Sequence, residues 1–409
     1  MTVTETLTAD EQRVSDLVDR LLAEFPPKST TPTEFLGAQF DLGLAWVHFP
    51  EGHGGLGLNP KLQKLINERI YAQGAPNPMY RNPIGHGMTG PTVVVWGSEE
   101  QKQRYLRPLF TGEEVWCQLF SEPGSGSDFA GLSSKGVRDG DEWVVNGQKV
   151  WTSGARDADY GMLIARTDWD QPKHRGITFF WFPMKQAGVE VRPLRQATGD
   201  ARFNEVFITD ARVPDSHRVG DLNAGWWVLQ TALAYERVAM GGARRGPSGP
   251  GGGATAQAHG SIPTADVSLV KLARAVGKAD DPQIRQELMR LHAHRTVNEW
   301  NAARAQAATA NGGSSPLASL GKLAMAQILH RAGHLQGVLL GMEGTLDGDQ
   351  NPRARDANYS QLNAYFFSIG GGTDQIQRNI IGERVLGLPP EPRVDKDLPF
   401  AEAQRLARR

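Results

Sequence analysis

Residues 116–128 read Trp116-Cys117-Gln118-Leu119-Phe120-Ser121-Glu122-Pro123-Gly124-Ser125-Gly126-Ser127-Asp128. Beyond them comes Glu142-Trp143-Val144-Val145-Asn146-Gly147-Gln148-Lys149-Val150-Trp151-Thr152-Ser153-Gly154. The first stretch is an apolar strand running into a glycine-rich turn. Its free backbone N–H groups and hydroxyls can cradle an anion or the polar edge of a heterocycle. A Gly-x-Gly pattern alone is equally an ordinary surface turn. In the second stretch, Asn146-Gly147 between two apolar runs predicts a tight hairpin, since both central residues of such a turn need φ > 0. Trp151 followed by two hydroxyls at a strand end suits a flat cofactor that is stacked on one side and hydrogen-bonded along its rim.

Working outward, strand-like runs continue at 162–165, 177–182, 189–191 and 203–208. Several short strands joined by turns predict a small antiparallel sheet or barrel. Before them the period is helical. Thr8 with Glu11 fits a capping box ahead of Val14, Leu17, Val18, Leu21 and Leu22, and further helices are expected over 60–73 and 99–109. After them the helical period returns in Trp227, Leu229, Leu233 and Val238, then over 281–303 and 317–342. Glycine and proline crowd residues 241–262, which combine high backbone entropy with missing donors and read as a mobile insertion. The expected architecture is α+β: an N-terminal helical domain (1–114), a middle antiparallel β domain (115–222) and a C-terminal helical bundle (223–409).

Composition narrows the function. At 409 residues the chain exceeds one core at about 150 residues per domain. Forty-four Lys plus Arg against 45 Asp plus Glu leave a formal charge of −1, which removes the broad cationic field of a nucleic-acid binder. No apolar run approaches the ~20 residues that span a bilayer, and Met1–Asp10 has no basic start or apolar core, so a cytoplasmic protein is expected. One cysteine, Cys117, excludes an intramolecular disulfide framework; with no His in a catalytic pattern, it reads as a small buried apolar residue. The ten histidines show no metal-ligand spacing, and no metal is expected.

Taken together, the two opening stretches resemble the acyl-CoA dehydrogenase family, in which they run approximately C-x-x-T-E-P-G-A-G-S-D and W-I-T-N-G. Residues 50–58, 96–102, 203–213 and 370–389 extend the resemblance over nearly the whole chain. It implies FAD as cofactor and an acyl-CoA thioester as substrate. Gln118, Phe120 and Ser121 would face the flavin, and Gly126 and Ser127 would approach cofactor and acyl-CoA. Trp151, Thr152 and Ser153 would cover the isoalloxazine, with Ser153 near N5. Gly372, Thr373 and Gln375 resemble the C-terminal stretch that touches FAD. The reaction needs a base at the acyl C2, and a carboxylate serves if its surroundings are dry enough. Much of the family places that Glu immediately before the C-terminal Gly-Thr, where this chain has Gly371. The isovaleryl and long-chain branches place it on a helix of the last domain just before an Arg, which matches Glu236-Arg237. Glu236 is the candidate base, Arg237 its support, and Gly371 the substrate-side position left by the missing carboxylate. A helix-surface Glu paired with a neighbouring cation is the plainer reading of Glu236. Trp226-Trp227 are candidates for an acyl-cavity wall.

Two departures qualify the match. The family's Arg-x-x-Phe-Gly segment, which reaches FAD across a subunit interface, has no counterpart, and its Gly-Gly-x-Gly region is altered to Leu340-Gly341-Met342-Glu343-Gly344. This combination resembles the bacterial heterotetrameric acyl-CoA dehydrogenases of steroid degradation, in which a paralogous subunit shares the FAD site. The implied reaction is oxidation of an acyl-CoA, extending to steroid-derived or branched chains, to the 2,3-trans-enoyl-CoA. Electrons would pass to an electron-transfer flavoprotein or similar acceptor. A non-catalytic half-site subunit and an acyl-CoA oxidase remain open alternatives.

Overall fold

The computed structural model describes residues 7–240, 266–308, 316–348, 350–393 and 395–407, so the glycine-rich stretch 241–262 lies outside the described residues. The chain is α+β, with helices, then strands, then helices. Helix α1 (Ala9–Glu24) starts at the expected capping box: the Thr8 hydroxyl accepts from the Glu11 N–H, and the Glu11 carboxylate accepts from the Thr8 N–H at 2.8 Å. The same device opens α2 (Pro32–Asp41) at Thr31/Glu34 and α5 (Glu99–Thr111) at Ser98/Gln101, satisfying N–H groups that a helix start leaves orphaned. Helices α3 (Leu62–Ala72) and α4 (Gly90–Trp96) complete the N-terminal layer.

Eight strands follow: β1 (Trp116–Leu119), β2 (Lys135–Asp139), β3 (Glu142–Ser153), β4 (Tyr160–Arg166), β5 (Ile177–Pro183), β6 (Val189–Leu194), β7 (Phe203–Pro214) and β8 (Arg218–Val219). They form one sheet in the order β6-β7-β3-β2-β4-β5-β8, with β1 joined to β4. Pairing is mainly antiparallel, but β1–β4 is parallel and a single β2–β4 pair is too, so the sheet is mixed. The strand period of two divides its side chains between two cores. Met162, Ile164, Phe179 and Trp181 face the N-terminal helices, whereas Leu163, Ala165, Phe180 and Phe182 join Trp143, Val206 and Val213 on the other face.

The hairpin expected at Asn146-Gly147 is not there. Strand β3 runs straight through both residues, neither of which has positive φ, and the chain reverses at Gly140 (φ +63°) between β2 and β3. Asn146 instead lies opposite a bulge in β7, where its side chain exchanges two hydrogen bonds of 2.9 Å with Asp210, itself at φ +49°. Gly147 is needed for room, since an added Cβ would lie 2.2 Å from Ser134 Oγ. A glycine required by close approach carries the same letter as one required by a turn.

The C-terminal region comprises α6 (Gly225–Met240), α7 (Asp266–Ala275), α8 (Pro282–Ala308), α9 (Ala318–Leu340), α10 (Pro352–Ile369), α11 (Asp374–Ile380) and α12 (Phe400–Ala407). In α6 the expected Leu229 is buried and Leu233 packs against the same core, with Val228 and Ala232 buried beside them, whereas Trp227 is 60 % exposed. Helix α9 is central: it packs against α6, α8, α10 and α11. Helix α12 returns to the β domain, where the Arg166 guanidinium lies 3.7 Å over the Phe400 ring. Among the described residues no helix is long and apolar enough to cross a membrane.

Candidate active site

Strand β1 delivers the first predicted segment. The Phe120 ring packs against Phe129 and Phe179 in the helical core. Ser121 follows, and its carbonyl accepts from the Val150 N–H at 2.9 Å, which ties the first segment directly to the second. The turn closes with reciprocal backbone hydrogen bonds between Glu122 and Ser125, and the Ser125 hydroxyl donates to the Asp128 carbonyl at 2.7 Å. Gly126 and Ser127 lie exposed at the tip, and a Cβ added to Gly124 or Gly126 would meet nothing within 4 Å. That leaves the turn open to a ligand.

A buried ion pair that the sequence reading did not single out holds these segments together. The Lys149 ammonium, fully buried in β3, donates to Glu122 Oε1 at 2.8 Å and to the Phe120 carbonyl at 3.2 Å. Glu122 also accepts from the Ser133 N–H, the Ser133 hydroxyl and the Ser134 N–H. Burial pushes the Glu122 carboxyl up, but the Lys149 charge and these donors outweigh it and bring it to about 2. Burial pushes Lys149 below the usual lysine range while Glu122 opposes that shift. The pair is charged at neutral pH. A sequence signal for it existed: Lys149 continues the inward-facing positions of Trp143 and Val145 along β3, where a cation demands a buried acceptor.

At the end of β3, Trp151 adopts φ +60° and leaves its indole 56 % exposed, edge-on to Phe203. A large aromatic side chain in left-handed backbone is uncommon, and such strain concentrates at ligand sites. Thr152 is buried and Ser153 half-buried beside it. Gln118 Oε1 and Thr152 Oγ1 are buried with no hydrogen-bond partner among the described residues. Orphaned polar atoms, an exposed ring and an open glycine turn fit a flat, polar-rimmed cofactor such as FAD. Cys117 lies buried among apolar neighbours, which pushes its thiol up and leaves it unsuited to be a nucleophile.

Contacts between aromatic rings lead from Trp151 through Phe203 to Phe366 on α10, whose ring approaches Gly370. The Tyr359 hydroxyl donates to Asp200 and reinforces this junction. Gly371 (φ +65°) and Gly372 (φ +85°) then turn the chain into α11, with Gln377 Nε2 donating to the Gly371 carbonyl at 2.9 Å. Gly371 takes left-handed backbone, where a side chain would be strained. The Thr373 hydroxyl caps α11 by accepting from the Ile376 N–H at 3.2 Å, and Gln375 is exposed.

Glu236 stands half-buried on α6, and the side chain of Arg237 lies outside the described residues. Across from α6, Lys322 on α9 is 1 % exposed, and its Nζ lies 3.4 Å from Asp374 Oδ1 on α11. Burial lowers the Lys322 pKa, opposed by the charges of Asp374 and Glu236. Helix α9 packs against both α6, which carries Glu236, and α11, which carries Asp374. Trp226 packs against His174, whereas Trp227 points outward.

Comparisons with known proteins agree on the family. The acyl-CoA dehydrogenase N-terminal, middle and C-terminal domain families match residues 8–113, 117–211 and 223–386. The acyl-CoA dehydrogenase IpdE1 of Mycobacterium tuberculosis is 35% identical over 359 residues, 85% of this chain and 86% of that protein. Among solved structures, the Tcur3481–Tcur3483 steroid ACAD is 25% identical with a TM-score of 0.71, covering 94% of this chain and 99% of that one. A chain of the ChsE4–ChsE5 complex from Mycobacterium tuberculosis is 27% identical with a TM-score of 0.66, covering 95% and 100%. With its strand-borne turn, its exposed Trp151 and three successive domain matches, this chain belongs to the acyl-CoA dehydrogenase family, oxidoreductases that act on acyl-CoA thioesters.

Proposed function

We propose that this chain oxidises an acyl-CoA to its 2,3-trans-enoyl-CoA with FAD, and that Glu236 removes the C2 proton. The observation that carries the reading is that Glu236 is half-buried on α6, a helix that packs against α9, while the turn before α11 has at Gly371 no carboxylate to offer. Gln118, Phe120, Ser121, Gly126, Ser127, Trp151, Thr152, Ser153, Gly372, Thr373 and Gln375 are the residues assigned to the flavin, with Ser127, Arg237 and Gly371 also assigned to the substrate. FAD bound there supplies the acceptor for the hydrogen and electron pair that leave C3. The protein's part is to hold the thioester, exclude water and take the C2 proton on the Glu236 carboxylate, which becomes neutral.

The substrate class we favour is a steroid-derived or branched acyl-CoA, since a steroid ACAD is among the solved structures that this chain resembles over nearly its full length. A heteromeric assembly is supported by the ChsE4–ChsE5 complex and by apolar side chains left exposed on α10 (Leu362, Tyr365, Ile369) beside the Gly370 turn. Electron-transfer flavoprotein is the proposed acceptor, and the cytoplasm the proposed site of action. Glu236→Gln should keep FAD bound yet lose flavin bleaching by substrate about 10²–10⁴-fold, the usual contribution of a positioned base. Unchanged bleaching in an anaerobic stopped-flow experiment would refute the assignment.

A further inference from the structure

We propose that the C-terminal stretch from Asp395 to Phe400 is a strap that sets the glycine-rich turn at 122–128 for acyl-CoA, with Lys173 as the positioning residue through which it acts. The inference rests on the reading of that turn as lying against cofactor and substrate. The family's C-terminal domain matches as far as residue 386. Beyond that point the chain crosses back to the β domain and docks on the loop between β4 and β5. The Phe400 and Ala401 N–H groups donate to the Gln171 and Trp169 carbonyls, both at 3.0 Å, and the Trp169 and Phe400 rings meet at 5.3 Å.

Two cations hold the chain where it leaves the turn, and the strap covers each of them. Lys173 Nζ donates to Asp128 Oδ2 at 3.0 Å, at the end of the turn, and lies 2.7 Å from Asp395 Oδ2 on the strap. Burial pulls the Lys173 pKa down, and the hydrogen bonds to the two carboxylates outweigh it, so the lysine stays charged and both contacts are charge-assisted. Arg166, fully buried, donates to the Ala130, Leu132 and Lys173 carbonyls at 2.6, 3.3 and 3.0 Å. Its guanidinium meets the face of Phe400, a ring that can stabilise a cation removed from water. The turn depends on such holds at its ends. Gly124 and Gly126 have open space where a side chain would pack, and Gly126 and Ser127 are exposed. The reciprocal Glu122–Ser125 bonds close its entry, and Lys173 fastens its exit at the residue after Ser127. Asp128 is 59 % exposed, so the contact adds little to stability and acts on the geometry of the turn. A ligand that docks on a loop already held in its bound shape loses less ordering entropy.

Hydrogen exchange and kinetics of the flavin-loaded enzyme test this. In Asp395→Asn and in Phe400→Leu, amides of residues 124–131 should exchange at least about threefold faster than in the wild type, while those of α1 keep their rates. Unchanged exchange in the turn would overturn the strap's role. Steady-state kinetics would use octanoyl-CoA, 2-methylbutyryl-CoA and a cholestenoyl-CoA thioester, whichever the wild type oxidises. Lys173→Met should raise KM about 3- to 10-fold with kcat changed less than about twofold, the split expected when binding rather than proton removal suffers. Lys173→Arg should retain most of the wild-type KM. Because Asp395 acts through Lys173, adding Asp395→Asn to Lys173→Met should change KM no further. A wild-type KM in a folded Lys173→Met enzyme, or effects of the two substitutions that simply multiply, would sink the inference. The assignment of the turn to the substrate fails separately, through a KM that Gly126→Val leaves unchanged.

Discussion

The β domain and the C-terminal helices each bury a lysine against a carboxylate, and they do so differently. Lys149 meets Glu122 at 2.8 Å, and Glu122 accepts from three more donors, so its charge is fully answered. Lys322 meets Asp374 at 3.4 Å, and the α10 face near the turn that follows exposes Tyr365 and Ile369 to solvent. The first pair is a closed clamp that fixes two loop segments against each other. The second is looser and lies in a region that we propose a partner subunit completes. A closed pair in the β domain and a looser one among the C-terminal helices thus use the same residue types, a lysine and a carboxylate, separated by how completely each charge is satisfied.

The contrast can be broken most directly at the clamp. Lys149→Met leaves Glu122 buried without its cation and should cost about 3–5 kcal/mol in urea unfolding. Lys149→Met with Glu122→Gln should recover a good part of that loss. If Lys149→Met costs less than about 1 kcal/mol, the size of a surface pair, the clamp is no more than an exposed contact and the comparison fails.

Acid probes the same clamp at somewhat smaller cost. The folded Glu122 carboxyl titrates at about 2 against an ordinary value of 4.5. A depressed folded pKa gives stability that is present above the unfolded pKa and lost as pH falls toward the folded one. A loss on the order of 3 kcal/mol is therefore expected between about pH 4.5 and 2, and Glu122→Gln should flatten that part of the stability–pH curve. An unchanged acid limb in Glu122→Gln would assign the loss to other carboxylates.

The smallest stability effect belongs to the exposed helical face. Ile369→Glu should change unfolding of the isolated chain by less than about 0.5 kcal/mol, as surface substitutions do. Under the proposed heteromeric assembly it should nonetheless abolish co-purification with a paralogous subunit. Retained assembly would move the interface off this face.

Much of the framework was legible locally. The Thr8/Glu11 box announced α1, the apolar runs announced β4 and β5, and the glycine-rich turn at 122–128 was open as its composition suggested. What misled was a motif with two physical meanings. Asn146-Gly147 serves a bulge and a close approach to Ser134, while the reversal falls to Gly140. In α6 Leu229 and Leu233 face the core as expected but Trp227 does not, because contacts with β5 and α9, which are distant in sequence, choose the inward face.

Through its alternation of periods, capping residues and paired flavin-like segments, the amino-acid sequence determined the helix–sheet–helix order and the family, because those signals act between residues a few positions apart. Only the tertiary structure joined Glu122 to Lys149, and Lys322 to Asp374. Lys322 lies 52 positions before Asp374 (374 − 322). Burial in a low-dielectric interior gives such charges their force, and burial is a property of the packed chain rather than of any short stretch of it.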